Sequence, residues 1–177
     1  MVISIYINMK YIINSTDETK KIAEEFILSL SPKESSATVV GLYGDLGAGK
    51  TNYTQHVAKI LGIEENIVSP TFVIEKIYPI RNKGLEKPIS NETSELQQSV
   101  VSSQHLGKFK HLIHIDAYRL EKSEELLHLG WKEIISNPEN LILIEWPERV
   151  ADIMPEHSKI MIKHLENETS REIEIKF

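Results

Sequence analysis

Eight residues constrain this chain more than any others. Gly44-Asp45-Leu46-Gly47-Ala48-Gly49-Lys50-Thr51 has the spacing of a phosphate-binding loop: a glycine, four residues, then Gly-Lys-Thr. Chance produces that pattern in a chain of this composition about once in 200 sequences. The flanks agree with it. Thr38-Val39-Val40-Gly41-Leu42-Tyr43 is apolar and β-branched with little alternation, as in a central strand covered on both faces. After the loop, the spacing predicts a helix from Lys50 to Leu61, with Tyr53, Val57, Ile60 and Leu61 on one side and Gly62 as its stop.

The rest of the chain reads as a setting for that unit. Tyr11-Ile12-Ile13 forms a short strand, and Asn14-Ser15-Thr16-Asp17-Glu18 supplies caps and first-turn acids for a helix. Ile22, Ala23, Phe26, Ile27 and Leu30 make one face of that helix, which ends at Ser31-Pro32. Two apolar runs each end in an acid: His111-Leu112-Ile113-His114-Ile115-Asp116 and Leu141-Ile142-Leu143-Ile144-Glu145. A short helix from Ser123 to Leu129, with Gly130 after it, lies between them. The tail alternates with period two over 159–163 and 171–175 around Asn167-Glu168-Thr169, an antiparallel hairpin with one wet face. Strands alternating with helices, plus antiparallel pieces at one edge, indicate a single α/β domain of three layers, a phosphate-loop NTPase-like fold with a mixed sheet. Residues 81–109, rich in Ser and Gln and without periodicity, read as a flexible insertion. Residues 1–8 read either as an extension ahead of a start at Met9 or as one more edge strand.

Phosphates need donors in a confined space, and the loop supplies them. Glycines let the backbone N–H groups of Leu46, Gly47, Ala48 and Gly49 turn inward as a nest. The helix behind them aims its unpaired N–H groups and positive dipole end at the same anion. Lys50 reaches the β- and γ-phosphates, and the Thr51 hydroxyl can ligate Mg²⁺. A second acid must hold the metal or orient water. Asp116 and Glu145 both end apolar strands, where open α/β sheets place their ligand sites. His111 and His114 fall on opposite faces of one strand, which argues against a His pair for metal. Trp146 either closes over the site or packs at the sheet end.

Composition narrows the chemistry. The 177 residues include no cysteine, which excludes disulfides, thiolate metal sites and cysteine nucleophiles and suits a reducing cytoplasm. Lys and Arg number 20 against 26 Asp and Glu, a net charge of −6. That balance argues against a chain that grips nucleic acid alone. No apolar run approaches the ~20 residues of a spanning helix, so no membrane role is expected. Guanine readers are missing: Asn82-Lys83-Gly84-Leu85 lacks the Asp of Asn-Lys-x-Asp, and Asp116-Ala117-Tyr118-Arg119 lacks the Gly of Asp-x-x-Gly. ATP is therefore the expected nucleotide.

Beyond the phosphate loop, Ser69-Pro70-Thr71-Phe72, His114-Ile115-Asp116-Ala117-Tyr118-Arg119-Leu120 and Ile144-Glu145-Trp146-Pro147-Glu148 arrive in the order of one family. In these motifs the chain resembles the TsaE (YjeE) ATPases. The resemblance implies a bacterial cytoplasmic protein serving N6-threonylcarbamoyladenosine formation at position 37 of ANN-decoding tRNAs. It implies that the chain joins the TsaD–TsaB transferase pair, which holds the tRNA, and hydrolyses ATP to ADP weakly until that pair binds. It also assigns Thr51 and Glu145 as Mg²⁺ ligands and Asp116 as the acid near the γ-phosphate. Thr71 falls in the switch-like loop, where its hydroxyl would sense a γ-phosphate, and Glu18 and Arg171 fall at outlying nucleotide contacts. Asn52 stands where the family often has a second threonine, and the 81–109 insertion is longer than usual. Two other classes compete: a small-molecule phosphate-loop kinase, poorly supplied with only Arg81, Arg119, Arg149 and Arg171 for a lid, and a nucleotide-dependent binding module with negligible turnover.

Overall fold

The computed structural model describes residues 8–80, 109–166 and 170–177. A seven-stranded mixed sheet runs through the molecule. Its strands are β1 (Asn8–Ile13), β2 (Thr38–Tyr43), β3 (Glu75–Pro79), β4 (His111–Asp116), β5 (Asn140–Glu145), β6 (Ser158–His164) and β7 (Arg171–Lys176), in the spatial order β1-β7-β6-β2-β5-β4-β3. β2 sits in the middle, parallel to β5 on one side and β6 on the other. β4 continues the parallel set beyond β5, and β3, β7 and β1 add antiparallel edges.

Both faces are covered, which explains the unbroken apolar strands. Val40, Leu42, Leu112, Leu141 and Leu143 point to the face packed by α1 (Thr16–Ser29) and α2 (Lys50–Ile60), against Phe26, Ile27, Tyr53 and Val57. Val39, Ile113, Ile115, Ile142 and Ile144 point to the opposite face. There they meet α3 (Ser123–His128), α4 (Trp131–Ser136) and a 3₁₀ turn over Pro147–Ile153. The alternation is the period of two of a strand, buried twice. The three-layer expectation therefore holds, as does the tail hairpin: Ile160 pairs with Ile175 and Ile162 with Ile173 on the covered face.

Several elements differ from the sequence reading. β1 begins at Asn8, three residues before the expected Tyr11, because Asn8 to Ile13 pairs along the whole of β7. β3 was not expected. It is a five-residue edge strand in which Tyr78 is buried, Ile77 is exposed and a proline closes the run, so its own pattern is too short to announce a strand. α4 was missed for a related reason: six residues show less than two turns of periodicity, and its anchor Trp131 is fully buried with Nε1 donating to the Ile153 carbonyl at 3.2 Å. Phe109, the last residue of the stretch read as an insertion, is fully buried. Residues 1–7, 81–108 and 167–169, with the expectations placed on them, lie outside the described residues. No helix among the described residues is long and apolar enough to cross a membrane.

Candidate nucleotide site

The phosphate loop connects β2 to α2 at the carboxyl end of the parallel strands, where its glycines carry two separate burdens. Gly44 (φ +137°) lies so close to β6 that an added Cβ would stand 2.1 Å from the Ile162 carbonyl oxygen. Gly49 (φ +112°) is the residue before α2, left-handed and facing open space. α2 has no side-chain cap, so its first-turn N–H groups are directed into the loop's concavity. α1, by contrast, is closed: Ser15 Oγ accepts from the Glu18 N–H, and a Glu18 carboxylate oxygen accepts from the Asn14 N–H at 2.6 Å.

Lys50 folds back over this loop. Its Nζ donates to the Gly44 carbonyl at 2.6 Å and to the Asp45 carbonyl at 2.9 Å, and the residue is only 4% exposed. The same ammonium lies 3.9 Å from the centre of the Trp146 ring, a cation–π contact. Trp146 is itself held by the Tyr118 ring, 5.0 Å away, and by its backbone N–H donating to the Leu42 carbonyl. Trp146 both covers the Lys50 ammonium and packs against the core at the sheet end, so this geometry is compatible with each of its two expected roles. Burial pulls the Lys50 ammonium below its ordinary value, while Glu145, Glu148, Asp116 and Asp45 oppose that shift by their negative charge.

Sheet register brings the two acids together. β4 and β5 run parallel with Asp116 opposite Glu145. Period-two alternation puts both on the α2 side of the sheet, and each is 3% exposed. Glu145 Oε1 accepts from the Thr51 hydroxyl at 2.8 Å. Asp116 is turned the other way, toward the Ser-Pro-Thr loop. Its Oδ2 accepts from Ser69 Oγ at 2.6 Å and from the Thr71 hydroxyl, while Oδ1 accepts from the Tyr118 N–H at 3.0 Å. The Ser69–Ile74 loop is further tied by the Asp116 N–H donating to the Ile74 carbonyl. Ile74 has φ +69°, a conformation that a β-branched residue adopts at a cost.

A cleft of about 400 Å³ opens beside the loop, lined by Asn14, Ser15, Gly47, Gly49, Asn52 and Arg171 among others. Arg171, expected as an outlying contact, therefore stands in the cleft, whereas the Glu18 carboxylate is engaged at the start of α1. Leu46 is exposed at the loop's tip and Ala48 lines the cleft. The structure thus gathers Lys50, Thr51, Asp116, Glu145 and Thr71 around one loop. It adds two that sequence reasoning passed over. Ser69 shares Asp116 with Thr71, and His114 Nε2 lies within hydrogen-bond distance of Glu145 Oε1 at 2.8 Å. A signal existed for His114, since residues 114 and 116 must share a face of the same strand.

The donor set suits the groups the loop implies. Thr51 and Glu145 offer hydroxyl and carboxylate oxygens, the hard donors that Mg²⁺ prefers. Added Cβ atoms at Gly47 and Gly49 would project into open space, so these two glycines leave room for phosphate.

The family model described as "Threonylcarbamoyl adenosine biosynthesis protein TsaE" matches residues 13–173. The chain belongs to the TsaE family. Among curated TsaE relatives, a tRNA threonylcarbamoyladenosine biosynthesis protein from Rickettsia typhi is 32% identical over 88% of this chain and 86% of its own length. One from Haemophilus influenzae is 32% identical over 77% of this chain and 67% of its own. The crystal structure of Bacillus subtilis YdiB covers 97% of this TsaE chain and 86% of its own with a TM-score of 0.63 at 24% identity, a likeness of fold.

Proposed function

We propose that this TsaE-family protein is an Mg²⁺-dependent ATPase of tRNA N6-threonylcarbamoyladenosine biosynthesis, working in the cytoplasm with the TsaD–TsaB pair. The observation that carries the reading is the hydrogen bond from the Thr51 hydroxyl to Glu145 Oε1 at the end of the phosphate loop. It couples the first turn of α2 to the acid ending β5, within reach of the loop lysine. Kinship with curated biosynthesis proteins supports the tRNA assignment. The acidic net charge of −6 supports a tRNA held by partners instead of by this chain.

In this reading the β- and γ-phosphates settle on N–H groups of the loop and on the α2 terminus, with the Ala48 N–H, which donates to the Asp45 carbonyl at 3.1 Å and so does not lie open as the nest expectation had it, released from that carbonyl. Lys50 exchanges the Gly44 and Asp45 carbonyls for phosphate oxygens, and Trp146 keeps the ammonium from wandering. Thr51 and Glu145 would hold Mg²⁺, which would supply neutralisation of the phosphate charge. Asp116, released from one of its hydroxyl donors, accepts a hydrogen bond from the attacking water and orients it in line. Thr71 moves from Asp116 to the γ-phosphate, which links the Ser69–Ile74 loop to the state of the nucleotide. Arg171 and the cleft beside the loop take the nucleoside end.

ATP turnover measured with and without TsaD–TsaB, alongside reconstituted tRNA modification, tests this. Slow hydrolysis alone, stimulation by the pair and modification that depends on this chain are the expected results. Phosphate transferred to a small acceptor, or tight ATP binding with no turnover under any condition, overturns the reading.

A further inference from the structure

His114 is fully buried in the middle layer, on the strand that carries Asp116, and none of the roles above uses it. Its Nε2 lies 2.8 Å from Glu145 Oε1, the oxygen that also accepts from the Thr51 hydroxyl. A carboxylate oxygen accepts, so this contact can orient the acid when the ring donates from Nε2. Nδ1, by contrast, is buried with no hydrogen-bond partner among the described residues.

We propose that His114 is a positioning residue that aims the Glu145 carboxylate at the divalent cation. The proposal rests on the reading of Thr51 and Glu145 as cation ligands. Two donors converging on Oε1 fix the rotation of the carboxylate, and neither uses Oε2. A ring nitrogen that holds the ligand oxygen from behind is how partners behind a metal ligand commonly act. An apolar residue would fill the same slot in the strand while leaving Oε1 short of a donor in a site only 3% exposed.

Two variants separate positioning from packing. In His114→Gln the amide nitrogen can occupy the place of Nε2, whereas in His114→Asn the amide falls short of Glu145 while polarity and burial stay comparable. The probe is Mn²⁺, titrated by electron paramagnetic resonance into the intact protein with an unhydrolysable ATP analogue. Affinity for the analogue without metal is measured in parallel. His114→Asn is expected to weaken Mn²⁺ binding about 10- to 100-fold while His114→Gln stays within about threefold of the parent. Metal-free nucleotide affinity is expected to hold in both. In a Glu145→Gln background, His114→Asn is expected to have no further effect on Mn²⁺. Equal losses in the two variants, no loss in either, a parallel fall in metal-free nucleotide affinity, or failure of both to fold would each overturn the positioning role. A parent protein that binds no nucleotide-dependent Mn²⁺ would overturn the cation reading of Thr51 and Glu145 itself, and the positioning role with it.

Discussion

Alanine at Gly44 and alanine at Gly47 should damage the protein in opposite ways. Both glycines have positive φ, +137° and +79°, so each substitution carries a backbone cost of about 1–2 kcal/mol. Their surroundings differ. The Gly44 Cβ would stand 2.1 Å from the Ile162 carbonyl oxygen, roughly 1 Å inside the shortest ordinary contact, and the obstacle is backbone of β6. Loop and strand must part, which adds about 1–3 kcal/mol of overpacking. The Gly47 Cβ meets nothing within 4 Å. Gly44→Ala is thus expected to lose about 3–4 kcal/mol, or roughly 10 °C in Tm at this chain length, and Gly47→Ala about half that. For nucleotide binding the order reverses, because the Gly47 methyl enters the space kept for phosphate. Urea unfolding gives the first comparison, and calorimetric titration with an unhydrolysable ATP analogue gives the second. A Gly44→Ala protein as stable as its parent, or a Gly47→Ala protein with parental ATP affinity, would refute this account of the loop.

Other substitutions probe the rest of the site. Lys50→Ala is expected to abolish nucleotide binding, and Glu145→Ala to depress Mg²⁺-dependent turnover more than ATP affinity; equilibrium binding and steady-state kinetics check both. Thr71→Val keeps the shape and removes one hydrogen bond to the Asp116 carboxylate, so stability without nucleotide should fall by about 1–2 kcal/mol and the preference for ATP over ADP should shrink. Parental discrimination between the two nucleotides would remove Thr71 from the switch. Acid sensitivity should trace in part to His56, whose ring nitrogens are buried without partners among the described residues. Burial first, then Lys59 and Lys20, hold it below its ordinary 6.5 against the pull of Asp17. Between that lowered value and 6.5 the unfolded chain binds more protons than the folded one, so stability falls as pH drops through this window. His56→Leu should flatten that part of the pH–stability curve.

Much of the architecture was legible because its signals are local. The α1 caps, the apolar β2, β4 and β5 runs and the alternating β6–β7 pair each carry their own pattern. β3 and α4 carry none. β3 exists because β4 offers an unpaired edge, and α4 because Trp131 finds a slot against the sheet. Boundary errors have the same origin: Asn8 to Lys10 are strand only because β7 runs alongside.

Within the site, residue types and spacing alone pointed to a phosphate-binding loop, since a loop of glycines before a lysine-led helix is a pattern written in neighbouring positions. They also named the two acids. Tertiary structure decided which partner each acid has. The β4–β5 register sets Asp116 beside Glu145, yet Glu145 faces Thr51 and His114 while Asp116 faces Ser69 and Thr71. These contacts join residues 29 or more positions apart wherever they cross from strand to helix or strand to strand, as between His114 and Glu145, 31 apart. No local periodicity encodes such distances; only the packing of strands and helices around a shared core brings those groups together.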